Sequence, residues 1–101
     1  MSLRIELRTR TGKVLGVTGE VYDALDAMLP ELNFEDFPLA AGIDRYSRTM
    51  FNSSQMAPLT MEFERMLSDA PERRRELLNA LIEFCNEGSL LSECELWFLG
   101  D

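Results

Sequence analysis

Leu3-Arg4-Ile5-Glu6-Leu7-Arg8 decides the fold, because apolar and charged residues alternate there without a break. A period of two is the mark of a β-strand with one face buried and one face wet. Thr11-Gly12-Lys13 follows as a turn and Val14-Leu15-Gly16-Val17 as a short second strand, so residues 3–17 read as a hairpin. The same alternation returns at the far end, where Cys94, Leu96 and Phe98 interleave with Glu93, Glu95 and Trp97. That last strand is expected to lie beside the first, since each has one apolar face and neither has another long strand to pair with.

Between the strands the apolar spacing changes to three and four. Thr18 caps a helix whose apolar face is Val21, Leu25, Met28 and Leu29, with Glu20 and Asp23 at its positive end and Pro30 as its stop. Ser53 or Ser54 starts a second helix, with Met56, Leu59, Phe63, Met66 and Leu67 on one face and Pro58 in or near the first turn. Asp69-Ala70-Pro71-Glu72 reads as a capping-box-like restart, followed by Leu77, Leu78, Leu81, Ile82 and Cys85, with Gly88 closing the third helix. The last two helices form an αα-hairpin. Residues 31–51 lack periodicity but hold Phe34, Phe37 and Tyr46, which predicts a long ordered loop, with a brief strand at residues 39–43. The expected fold is α+β: a single domain, residues 1–101, in which an N-terminal hairpin and a C-terminal strand form a small antiparallel sheet with three helices on one face.

Composition narrows the function. The chain has 101 residues, 46% of them apolar, which is enough for one core. There is no histidine, Lys13 is the only lysine, and the net charge is −8. Such a charge opposes nucleic acid and anionic membranes as partners and favours cationic proteins. The N-terminus lacks the apolar run of a secretory signal, and no stretch approaches the ~18 apolar residues of a membrane span, so the expected setting is the cytoplasm. Cys85 and Cys94 are then expected to be reduced, buried thiols, and without histidine they do not make a zinc site. A serine nucleophile would need a base, while Lys13 sits in a surface turn, and no phosphate loop, dinucleotide fingerprint or metalloprotease motif is present. Neither catalysis nor a cofactor or metal is expected.

Partner-binding candidates remain. Between Val14 and Asp44 lie Glu20, Asp23, Asp26, Glu31, Glu35, Asp36 and Asp44, with no lysine or arginine. This is either a solvated face or a surface that steers a basic partner. Within it, Phe34, Glu35, Asp36 and Phe37 set two aromatic rings among carboxylates, as in a binding hot spot. Long loops also need inward tethers, and one ring can serve each purpose. Arg73-Arg74-Arg75 spreads around a helix and reads as a solvated face. Trp97 and Leu99 lie on the sheet face opposite Leu96 and Phe98; they form a dimer or partner patch beside Arg4 and Arg8 unless the long loop covers them.

Phe51-Asn52-x-x-Gln55 together with Leu96-Trp97-Phe98-Leu99-Gly100-Asp101 resembles a group of short uncharacterised bacterial proteins that share an F-N-x-x-Q helix start and an L-W-F-x-G-D ending. That resemblance directs attention to Asn52, Gln55 and Asp101 and brings no activity with it. On the residues alone, Asn52 is a helix-start capping group. The expected function is a small acidic protein–protein interaction module, with a protein partner, basic in one version and a second copy of the chain in another. One alternative is an immunity-type inhibitor that masks the basic site of a cationic enzyme such as a nuclease. A second is an unrecognised enzyme or small-ligand binder.

Overall fold

Ile5 and Leu7 point to one side of β1 (Arg4–Thr9) and are fully buried, while Arg4, Glu6 and Arg8 point to the other. The computed structural model describes residues 4–17, 22–44, 46–91 and 93–100, without the side chains of Tyr22 and Asp23. Leu3, Thr18, Glu20, Val21 and Asp101, all given roles above, lie outside the described residues. β1 turns back through Gly12, whose φ of 95° is natural only to glycine, into β2 (Val14–Val17). The turn is closed by the Thr9 amide donating to the Lys13 carbonyl at 2.8 Å and the Lys13 amide donating to Thr9 Oγ1 at 3.0 Å.

The expected pairing of the first and last strands of the chain is present. β4 (Cys94–Leu99) runs antiparallel to β1, with Ile5 opposite Phe98 and Leu7 opposite Leu96. The sheet has a fourth strand that the periodicity did not predict, β3 (Arg48–Asn52), which pairs with the other edge of β4 in the order β2-β1-β4-β3. Residues 39–43, expected as a brief strand, instead hold a 3-10 turn at Ala40–Gly42. Amides that a ladder would need at Leu39 and Ala40 are taken by a side chain from the helix layer, described below.

The helices follow the expected order, with corrections at their ends. α1 (Tyr22–Met28) passes into a 3-10 turn, Leu29–Glu31, that contains Pro30, and the chain leaves helical geometry at Leu32. α2 (Ser53–Leu67) starts from Asn52 in a capping box: Asn52 Oδ1 accepts from the Gln55 amide at 3.1 Å, and Gln55 Oε1 accepts from the Asn52 amide at 2.9 Å. Pro58 lies in the second turn of α2 rather than the first, on the exposed side. α3 (Glu72–Leu90) begins at Pro71 with no side-chain cap, so Asp69 does not close a capping box. Gly88 does not end α3 either; it is buried inside the last turn. A Cβ at Gly88 would run into the Met56 thioether and stand 3.2 Å from Leu7, so glycine here lets α3 close on both α2 and β1.

Three helices thus cover one face of a four-stranded antiparallel sheet, an α+β fold with one hydrophobic cluster between the layers. The sheet contributes Ile5, Leu7, Phe51, Leu96 and Phe98, with Phe51 and Phe98 edge to face at 5.8 Å. Helices supply Leu25, Met28, Met56, Leu59, Phe63, Leu77, Leu78 and Leu81. Cys85 and Cys94 are both buried and both free thiols. Among the described residues no helix is long and apolar enough to cross a membrane.

Candidate functional site

The acidic segment and the outer sheet face are two distinct surfaces. Phe34 and Phe37, three residues apart, divide the roles expected of them: Phe34 is 67% exposed, whereas Phe37 is half-buried and packs against the core. Their loop is held at several points. Asn33 Oδ1 accepts from the Asp36 backbone amide at 2.8 Å, the Asn33 side-chain Nδ2 donates to Asp36 Oδ2 at 3.1 Å, and the Phe37 backbone amide donates to the Asn33 carbonyl at 3.0 Å. Arg65, from the last turn of α2, donates to the Asp36 carbonyl at 2.7 Å and lies over the Phe37 ring at 5.4 Å.

Glu62 supplies the deepest tether. It is 3% exposed, and its carboxylate accepts from the Leu39 amide at 3.1 Å and the Ala40 amide at 2.9 Å. A buried carboxylate is tolerated when charge-assisted hydrogen bonds replace water, and here the donors are backbone groups that a loop would otherwise leave unpaired. Glu62 was not singled out by sequence reasoning, although a signal existed. It stands between Leu59 and Phe63 in the apolar stripe of α2, where a carboxylate needs a buried partner.

The acids of this segment are less bare than their order in the chain suggests. Glu31 meets Arg74 of α3, which donates at 2.8 Å through one terminal nitrogen and 3.3 Å through the other. This hydrogen-bonded pairing, and then the guanidinium charge, holds the Glu31 carboxyl below its usual range. Arg74 is therefore partly buried and structural, not simply one of three solvated arginines. Asp26 is half-buried in α1 and engaged within the protein, whereas Asp23 is a position on α1 whose side chain is not described. Glu35 and Asp36 are exposed on either side of the turn that presents Phe34. Of the partner-binding candidates in this segment, Phe34, Glu35 and Asp36 are thus the exposed ones.

Trp97 is not part of it. It lies on the outer sheet face, where register creates three transverse rows. The middle row reads Val17, Glu6, Trp97, Met50 from β2 to β3. Arg4, Leu99 and Arg48 form the row on one side; Val14, Arg8, Glu95 and Asn52 form the row on the other. Glu6 is 4% exposed because Arg4 and Arg8 fold over it, at 2.5 Å and 2.7 Å. Arg8 also lies 5.0 Å above the Trp97 ring, and Trp97 Nε1 donates to Glu95 at 3.1 Å. Val14, Val17 and Met50 are exposed, and Trp97 and Leu99 are half-exposed. The long loop does not cross these residues: its tethers run to α2, and Ser47 takes the Gly100 amide at the sheet edge.

Burial pushes the Cys85 thiol up to about 11, against a smaller opposing contribution from its hydrogen bond with Thr60, and raises Cys94, with the Glu87 charge adding to the rise. Neither thiol is primed as a nucleophile. Among the described residues no cluster of three or more cysteine or acidic side chains is placed to hold a metal ion. No protein-family model matches the chain, and comparison with curated proteins and with solved structures finds no significant match.

Proposed function

We propose that the protein is a non-catalytic interaction module that docks a cationic protein surface through Phe34, Glu35 and Asp36. One observation carries this reading: a large aromatic ring stands 67% exposed on a loop that Glu62 and Arg65 hold in place. An aromatic anchor presented on a pre-formed backbone binds without a further ordering penalty, and the flanking carboxylates add steering toward positive charge. The net charge of −8 supports a protein partner over nucleic acid or anionic lipid. Two buried free thiols support a reducing compartment such as the cytoplasm. The inhibitor reading, in which many acids mimic phosphates, draws less support because Glu31 already holds Arg74.

The test is affinity capture from lysates of cells that carry the gene, followed by binding kinetics with the captured partner. Phe34→Ala should speed dissociation tenfold or more, and Glu35→Lys should slow association at low salt without altering the melt. Unchanged capture by both variants, with loss on Trp97→Ala, would move the binding surface to the sheet.

A further inference from the structure

The three rows of the outer sheet face are self-complementary in one orientation. A two-fold axis parallel to the strands and midway between β1 and β4 exchanges β1 with β4 and β2 with β3 while keeping each row in place. Val17 then meets Met50 of the second copy, Arg8 meets Glu95, and Trp97 covers the arginine-clamped Glu6, each contact occurring twice. Turning the axis across the strands instead sets Arg4 against Arg8 and Glu6 against Glu6, which like-charge repulsion disfavours. We propose that this face binds a second copy of the same chain in the first of these orientations, as a two-fold sheet sandwich.

Charge placement favours this occupant. The chain carries −8 overall, yet the three rows hold Arg4, Arg8 and Arg48 against Glu6 and Glu95, so two copies meet where their acid excess is absent. A cationic partner would find no surplus of acid on this face, and a strongly acidic one would be repelled by the rest of the chain. Strands ~4.8 Å apart and rows ~6.8 Å apart give a footprint on the order of 400 Å² per copy. That is about half the ~800 Å² per partner of a standard stable interface, so the dimer is weak and concentration-dependent.

Sedimentation of the intact protein should give a monomer at ~1 µM and a doubling of mass toward ~500 µM, the range set by the small footprint. Met50→Lys, at an exposed edge position, should weaken association at least tenfold and leave the melt intact, and Trp97→Ala should do so more strongly. Orientation is read by cross-linking single cysteines with a bis-maleimide that spans ~10 Å, the separation of packed sheets. Positions 17 and 50 lie on opposite edge strands, ~14 Å apart along the sheet, so position 17 stands across from position 50 of the second copy and well beyond that span from the second copy's position 17. Mixing Val17→Cys with Met50→Cys protein should therefore give a cross-linked pair at least tenfold more abundant than either variant forms alone. A chain that stays monomeric at the highest concentration overturns the proposal, as does Val17→Cys linking to itself as readily as to Met50→Cys. Capture of an unrelated acidic protein through Arg4 and Arg48, with no self-association, overturns it too.

Discussion

Two carboxylates among the described residues are almost fully buried, and they are held by opposite means. Glu6, on the outer sheet face, is neutralised by Arg4 and Arg8, each two residues away on the same strand. Glu62, under the acidic loop, receives the amides of Leu39 and Ala40, more than twenty residues distant in the chain. The first arrangement is local, cationic and roofed by long side chains; Arg4 is itself 58% exposed. Losing that carboxylate frees two guanidinium groups to turn toward water. The second arrangement ties one element to another, and losing it strands backbone donors that have nowhere to turn. A buried charge can thus serve as a lid over a face or as a clasp between layers, and what surrounds its partners decides which.

The clasp should show the largest mutational effect. Glu62→Ala leaves the Leu39 and Ala40 amides unpaired and opens a void in α2, and is expected to cost on the order of 3 kcal/mol in urea unfolding. Glu62→Gln keeps one acceptor oxygen and should cost roughly half as much. A loss below about 1 kcal/mol for Glu62→Ala would mean that the loop stands without its clasp.

Cys85 sharpens the contrast, because it is a buried ionisable group that stays neutral and needs no counter-charge. Its thiol is raised from 9.0 to about 11, so between those values the unfolded chain releases a proton that the folded chain retains. Stability from this source is whole below pH 9 and falls as pH rises toward 11, by on the order of 2 kcal/mol. Thermal melts from pH 8 to 11 should show that decline, with a flatter profile in Cys85→Ala. Equal slopes in the two proteins would remove Cys85 as its cause.

The lid is expected to matter less. Glu6→Gln should cost about 1 kcal/mol or less, and Arg8→Ala more than Arg4→Ala, since Arg8 also covers Trp97. Equilibrium unfolding of the three variants tests that ranking; equal losses at Arg4 and Arg8 would show that the cation–ring contact adds nothing. Phe34→Ala closes the series, with a change within about 0.5 kcal/mol because the ring is already largely in water. The two surfaces should also part in salt. Between 50 and 300 mM, capture of a basic partner by the Phe34 loop should weaken, whereas self-association should strengthen as repulsion between two chains of −8 is screened.

The sheet's centre was legible because β1 and β4 each alternate over six residues, long enough for period two to stand out. β3 was not, since only Thr49 and Phe51 mark its inner face, and Phe51-Asn52 serves equally well as a helix approach. The capping role of Asn52 could be read locally, from the four residues Asn52–Gln55. That one of Phe34 and Phe37 points inward was readable in kind; which one depends on Arg65, far along α2, lying over Phe37. The bareness of the acidic segment misled for the same reason, because Arg74 reaches Glu31 only after α1 and α3 have packed. Contacts between neighbours in the chain leave a pattern in the sequence, whereas contacts made by folding leave at most one odd residue, such as Glu62 in an apolar stripe.

The adjacency of β1 and β4 at the middle of the sheet also sets a timetable. Thr9 pairs with Cys94, so the central ladder joins parts of the chain separated by nearly the whole described length. A nascent chain emerging from the ribosome can form the β1–β2 hairpin and the α2–α3 hairpin early, but β3 finds no partner until β4 has been synthesised. Until then Ile5, Leu7 and Phe51 remain uncovered, and the strand edges that later meet β4 are open to other chains. Completion of the sheet therefore waits for β4 and is dominated by distant contacts, which places folding on the slower, millisecond-or-longer side for a domain of this size.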